Sequence, residues 1–228
     1  MVWVMAMGDD MDEAQFLATA HTLEERARAL PGITAVGSAE ILPMGMSYQE
    51  SGFDIPGVEP PPGEEYHSMG YNVVSPSYMD VMGIPMVAGR GLSEEDQTGS
   101  QPVAVISETA ARRFWPGESP LGREIRRHGR EEGYRVVGVA KDTKVWTIGE
   151  EYRPYVYFSQ DQYGINSVQL VARGDISDAQ IATQLRQLAA DVAPRLVLME
   201  SKTMAEHLAL ALFPPRMAAL LLGVFGGL

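Results

Sequence analysis

Few residues in this chain have types and spacing that could do chemistry. There are four histidines, His21, His67, His128 and His207, and no cysteine. No two histidines stand at metal-ligand spacing and no H-E-x-x-H occurs, so no zinc site is read from the sequence. The lack of cysteine excludes a disulfide scaffold, a thiolate metal site, an iron–sulfur cluster and a thiol nucleophile, and leaves the redox compartment open. Ser38 and Ser47 lack the glycine that would complete a G-x-S-x-G nucleophile elbow. Gly117-Glu-Ser-Pro-Leu-Gly122-Arg123-Glu124 approaches a P-loop. Arg stands there in place of Lys and Glu in place of Ser/Thr, and the helix is expected before the loop, where its N-terminus cannot hold a phosphate. Gly89-Arg90-Gly91 lacks a third glycine and a Rossmann strand before it. The acidic clusters Asp9-Asp10, Glu94-Glu95-Asp96, Glu131-Glu132 and Glu150-Glu151 do not alternate oxygen ligands around a glycine as a calcium loop does; they read as loops and caps. Two aromatic positions stand out. Phe114-Trp115 is expected to pack between a helix and the strand near 134–139. Trp146, beside Lys144, is expected in a loop, in packing or as a partner surface. No catalytic, cofactor-binding or metal-binding residue is assigned, and no enzyme activity is expected.

The elements that would position these residues follow from periodicity. The apolar run 1–7 carries no basic segment and no cleavage pattern, so it reads as a strand and not as a signal peptide. Phe16, Ala20, Leu23, Ala27 and Leu30 make one stripe of a helix over 12–30. Asp12 with Gln15 resembles a capping box, Glu24 and Arg28 form an i,i+4 pair, and Pro31-Gly32 ends the helix. A strand is expected over 33–42. The same plan returns later, with a strand over 167–173 and a helix capped by Ser177 and Gln180. That helix is striped by Ile181, Leu185, Leu188 and Val192, ends at Pro194, and leads to a strand over 196–199. Each strand–helix–strand unit has an uncovered helix face, so the two are expected to combine as a four-stranded sheet with two helices in a split βαβ arrangement. Between them, a stiff Pro60-Pro61-Pro62-Gly63 loop precedes short strands near 71–74, 103–106, 134–139 and 155–158. A helix from Glu108 with Ser107 as N-cap, and another near 75–82, interrupt these strands. The fold class is α+β, a split βαβ body with a small inserted α+β body.

Charge and the chain ends add to this. Thirty acidic residues against eighteen Lys and Arg give a formal net charge of −12. Residues 1–70 hold twelve of the acids and only Arg26 and Arg28 as bases. The excess reads as a solvated face or as a wall repelling anionic lipid, and argues against a nucleic-acid partner. The last twelve residues, Met217 to Leu228, carry no charge and include three glycines in the final six. A spanning helix needs about 20 apolar residues, so this stretch reads either as a short buried helix or as the beginning of a membrane helix.

Several ordered stretches together resemble a known family: Tyr78-Met-Asp-Val-Met-Gly-Ile-Pro-Met-Val-Ala-Gly-Arg-Gly91 with Asp96 after a gap, Val103 to Ile125, Tyr134 to Asp142, Met204-Ala-Glu-His-Leu208, and Arg216 to Gly226. The sequence is similar to the extracytoplasmic core domain of MacB-like and FtsX-like ABC transporter permeases, most of all the stand-alone permeases that lack an ATPase. The resemblance implies a porter-like split βαβ subdomain over 1–46 plus 163–212, an inserted subdomain over 47–162, and the start of a second membrane helix over 213–228, with a first membrane helix before Met1. It also implies an inner-membrane protein with this segment on the extracytoplasmic side. The implied partners are its own membrane helices, a separate cytoplasmic ABC ATPase, a second permease copy in a dimer, and a periplasmic adaptor. The implied role is mechanical, passing helix movement driven by that ATPase to export or envelope work. No Walker motif is present in these residues, so the catalyst of any ATP hydrolysis is expected elsewhere, in an ATPase domain or subunit. A periplasmic ligand- or peptide-binding adaptor domain is the alternative; a hydrolase with a dispersed site is a third.

Overall fold

The computed structural model describes residues 2–8, 12–45, 47–165, 167–192 and 196–209, with 2–8 and 196–201 described as backbone. The elements are, in chain order, β1 (Val2–Gly8), α1 (Glu13–Arg28), β2 (Ile33–Ala39), β3 (Glu50–Asp54), β4 (His67–Val74), α2 (Tyr78–Met82), β5 (Met86–Gly89), β6 (Val103–Ser107), α3 (Glu108–Phe114), β7 (Glu124–Arg127), β8 (Gly133–Ala140), β9 (Tyr155–Ser159), α4 (Gln160–Tyr163), β10 (Ser167–Gly174), α5 (Asp178–Val192) and β11 (Leu196–Thr203).

Strands β11, β1, β10 and β2 lie side by side, every neighbour antiparallel. β10 thus stands between β1 and β2, and β1 between β10 and β11. Alternation along the strands sorts the two faces. Val36, Leu170 and Ala172 pack with Leu23 and Ala27 of α1 and Ile181, Leu185 and Ala189 of α5. Ala39 and Val171, of opposite parity, pack with Tyr78, Met79 and Val81 of α2. Both helices start as the sequence proposes. Asp12 Oδ1 accepts from the Gln15 N–H at 2.8 Å. Ser177 Oγ accepts from the Gln180 N–H at 3.3 Å, while Gln180 Oε1 accepts from the Ser177 N–H at 3.1 Å.

The middle of the chain is more ordered than the short-strand pattern suggests. β3, β5, β7 and α4 fall where no element is expected. β3, β5 and β7 are four or five residues long and carry much exposed surface, so their alternation is too brief to register. Six strands pair in the cycle β4–β3–β7–β8–β6–β9 and back to β4, which closes a small barrel. Two of its pairings, β4 with β9 and β6 with β8, are parallel. The barrel is filled, not hollow: Phe53, Met69, Ile106, Ile125, Val136, Val156 and Phe158 form its interior. Phe114 and Trp115 of the α3 end belong to the same buried cluster as Tyr134 and Val136 of β8, as expected. β2 ends at Ala39, three residues earlier than the sequence suggests, and meets the barrel through one pair, Ala39 opposite Val74.

The expected start of a membrane helix over 213–228 lies outside the described residues. Among the described residues, no helix is long and apolar enough to cross a membrane.

Candidate functional site

The two halves of the fold meet across an apolar layer with a polar lock at its rim. The layer is built from both sides. Leu42, Ala39 and Val171 supply one surface, and α2, which follows the barrel strand β4, supplies the other together with Val103, Val105, Tyr155 and Tyr157 on the outward face of the barrel. Gly37 makes the approach possible, because a Cβ there would press on Val81 Cγ1 at 2.9 Å and on the Tyr78 backbone nitrogen at 3.0 Å.

The lock is centred on Glu24. Ser38 has the parity of β2 that faces α1, and on this otherwise apolar face it needs a polar partner. Its hydroxyl donates to Glu24 Oε1 at 2.5 Å and lies 2.9 Å from Gln160 Oε1 at the start of α4. Arg28 Nη2 donates to Glu24 Oε2 at 2.9 Å and to Ser77 Oγ at 2.8 Å. The Ser38 N–H donates to Ser75 Oγ at 2.8 Å, and the Ser75 N–H returns to the Ser38 carbonyl at 2.9 Å. His21 Nε2 stands 2.8 Å from Asp161 Oδ1. One helix of the sheet body is therefore bonded to the β4–α2 turn and to α4, both attached to the barrel. Burial pushes the Glu24 carboxyl above its ordinary range, and Ser38, Arg28 and Gln160 restrain only part of that rise. The hydrogen bond to Asp161 raises His21, against a smaller opposing effect of burial. Beside the lock is a cleft of about 490 Å³ lined by charged and amide side chains, among them Glu25, Glu94 and Gln97.

A second polar node closes the segment after β5. Arg90 donates to Asp96 through Nη1 and Nη2, each at 2.7 Å, and the Ser93 N–H donates to Asp96 Oδ2 at 2.8 Å. Burial would raise Asp96, but these donors outweigh it and hold the carboxyl below its usual range. The segment is fastened to the first lock: Ser159 Oγ donates to the Asp96 carbonyl at 2.9 Å and Thr98 Oγ1 to the Asp161 carbonyl at 2.5 Å. A third node, Asp142, accepts from the N–H and hydroxyl of Thr109, both at 2.8 Å, and from Arg112 at 2.9 Å, anchoring the first turn of α3.

The other chemistry-bearing residues do not converge. His67 is buried edge-on to Phe114, His128 pairs with Asp54, and His207 Nε2 lies 2.9 Å from the Pro43 carbonyl. The P-loop-like stretch 117–124 runs into β7, and no helix follows it. Among the described residues, no group of three His, Asp or Glu is arranged to hold a metal. Sequence reasoning reads Glu24–Arg28 as an i,i+4 helix pair and misses the lock. The one signal was Ser38, a polar residue at an inward-facing strand position.

The fold is α+β, a sheet with two helices on one face joined to a small closed barrel. The model of the MacB-like periplasmic core domain matches residues 2–188, and the chain belongs to that family. Over 72 residues it is 33% identical to the macrolide export ATP-binding/permease protein MacB of Aggregatibacter actinomycetemcomitans; the match covers 32% of this chain and 11% of that protein. The fold is similar to the periplasmic region of MacB from Actinobacillus actinomycetemcomitans, with TM-score 0.58 and 17% identity over 87% of this chain and 88% of that one. It is also similar to the extracellular domain of the noncanonic ABC-type transporter YknZ from Gram-positive bacteria, with TM-score 0.56 and 16% identity over 88% of this chain and 100% of that one. A domain of a putative permease protein from Porphyromonas gingivalis gives TM-score 0.51 at 13% identity, over 87% of this chain and 90% of that chain.

Proposed function

We propose that this chain is the extracytoplasmic module of an ABC-type permease, set between two membrane helices. In this reading it passes movement driven by a separate cytoplasmic ATPase to export or envelope work. Residues 1–46 with 163–212 form the porter-like split βαβ subdomain, 47–162 the inserted subdomain, and 213–228 the start of the second membrane helix. The observation that carries the reading is the pairing of β1 with β11, which sets Val2 opposite Thr203. The first and last of the described strands therefore meet at one place, and two helices joined there would act on one sheet. The lock around Glu24 then makes that sheet and the barrel respond together. The apolar layer between the bodies is filled by side chains from both, which favours a relay over the capture of an apolar ligand.

Two measurements test this. The purified chain should show no ATP hydrolysis above background, and turnover that survives re-purification would overturn the non-enzymatic reading. In intact cells making the full-length protein, Val87→Cys, exposed in β5, should react with a membrane-impermeant maleimide. Protection until the cells are lysed would place the module on the wrong side of the membrane.

A further inference from the structure

Among the described residues, six large hydrophobic side chains stand exposed, and three of them, Trp146, Ile148 and Tyr152, fall within one loop of seven residues. Such clustering marks a surface that meets something. The loop is braced and does not simply dangle. Glu150 Oε1 accepts from the N–H groups of Val145 at 2.7 Å and Trp146 at 3.1 Å, which turns that carboxylate inward. Trp146 stacks on Tyr48 with ring centroids 5.6 Å apart and planes 13° apart. Cations lie over the exposed rings: Arg153 over Trp146 at 5.5 Å and Lys144 Nζ over Tyr152 at 4.0 Å.

The position of the loop indicates what it meets. The Met44 N–H donates to the Val145 carbonyl at 2.7 Å, and His207 Nε2 lies 2.9 Å from the carbonyl of the adjacent Pro43. The aromatic loop therefore stands beside the last described residues of the chain, which end at 209. Eight residues further on, the uncharged stretch 217–228 begins. Eight residues span about 12 Å as helix and at most about 27 Å extended. If that stretch enters a bilayer, the headgroup layer lies within this reach of residue 209, at the end of the molecule where the 43–44 turn carries both the loop and His207. Trp and Tyr rings with nearby Lys and Arg are the side chains that favour that layer. Lys144 and Arg153 are balanced by Glu150 and Glu151, so the loop has no net charge to select anionic lipid.

We propose that the loop 144–153 rests on a zwitterionic lipid headgroup layer and fixes the module's height and tilt above the membrane. This rests on the membrane-helix reading of residues 213–228. The absence of cysteine allows a clean test. Single variants Ile148→Cys, Val224→Cys and Val87→Cys of the whole chain are labelled with an environment-sensitive fluorophore and mixed with phosphatidylcholine vesicles. The expected result is a blue shift and gain of emission at 148 and 224, with none at 87. Adding Trp146→Ala and Tyr152→Ala should cut the docked population reported at 148 roughly tenfold, with circular dichroism unchanged. A response at 224 with none at 148 overturns the proposal and leaves the membrane helix standing. No response at either position overturns both. A shift at 148 on concentrating the chain without vesicles shows that a second copy covers the loop, and also overturns it.

Discussion

Removing the Glu24 carboxylate is the sharpest test of the joint. Glu24→Ala leaves Ser38 and Gln160, 0% and 2% exposed, without their carboxylate partner, and frees Arg28 from its own. A hydrogen bond to a charged group contributes about 1.5–3 kcal/mol. The cost of burying the carboxylate, visible in its upward-shifted acidity, offsets part of that, so the net loss should be about 2–3 kcal/mol. In a chain of this size each 1 kcal/mol lowers the melting temperature by about 2–4 °C, giving a drop of about 4–12 °C. Glu24→Gln keeps the shape and an acceptor, and should lose about 1 kcal/mol or less at pH 7. The pH dependence has a definite sign. The unfolded carboxyl titrates near 4.5 and the folded one higher, so across that window the folded state holds the extra proton and stability from this group falls as pH rises. The wild type should therefore exceed Glu24→Gln by more at pH 5 than at pH 7. His21 feels the Glu24 charge, which adds to its upward shift, so its titration does not cancel. Stability that depends on a raised histidine is also lost as pH rises, and it adds to the difference with the same sign. Urea unfolding followed by circular dichroism at both pH values, with Ser38→Ala alone and combined, measures all of this. The double variant should lose less than the sum of the singles by at least about 0.5 kcal/mol. An alanine variant within about 0.5 kcal/mol of wild type, or strictly additive losses, would refute the lock.

Three further outcomes are expected. Asp96 is held below its ordinary acidity of 3.8, so it adds stability above that pH that is lost as pH falls through its folded value; Asp96→Asn should flatten the acid limb of the unfolding curve, and an unchanged limb would count against the Arg90 clamp. Gly138→Ala drives a Cβ into the Arg90 carbonyl oxygen, and should cost at least about 1–3 kcal/mol in melting experiments, where a neutral result would mean that β5 is free to shift. The Ala39–Val74 pair is flanked by hydrogen bonds from Ser75 N to Ser38 O and from Glu40 N to Val73 O, which makes it a non-hydrogen-bonded pair with Cα atoms about 4.5 Å apart, within disulfide reach. Ala39→Cys with Val74→Cys should form a reducible cross-link that raises the melting temperature until dithiothreitol is added, and failure to oxidise would refute this register.

Much of the fold is legible in the residues. The stripes Phe16–Ala20–Leu23–Ala27 and Ile181–Leu185 place α1 and α5, and their capping residues Asp12 and Ser177 place the helix starts. Ser107 likewise places α3. What was not legible had weak local signals. β7 is four residues long with one buried side chain, and β5 has none fully buried. Neither offers enough alternation to distinguish a strand from a loop.

The sequence by itself determined the number and kind of the long elements, the apolar face of each helix, and the acidic excess of residues 1–70. These depend on neighbours a few positions away, which periodicity and capping report directly. Only the tertiary structure decided that six strands close into a barrel. Period-2 alternation says which way a side chain faces and nothing about which strand lies alongside, so pairings such as Gly70 with Tyr155 and Glu124 with Arg135 were open. It also decided the role of Glu24. In the sequence it is one more helical acid four residues from an arginine. In the fold, Ser38, Gln160 and Ser77 arrive from 14 to 136 residues away along the chain and turn a helix pair into the buried joint of two bodies.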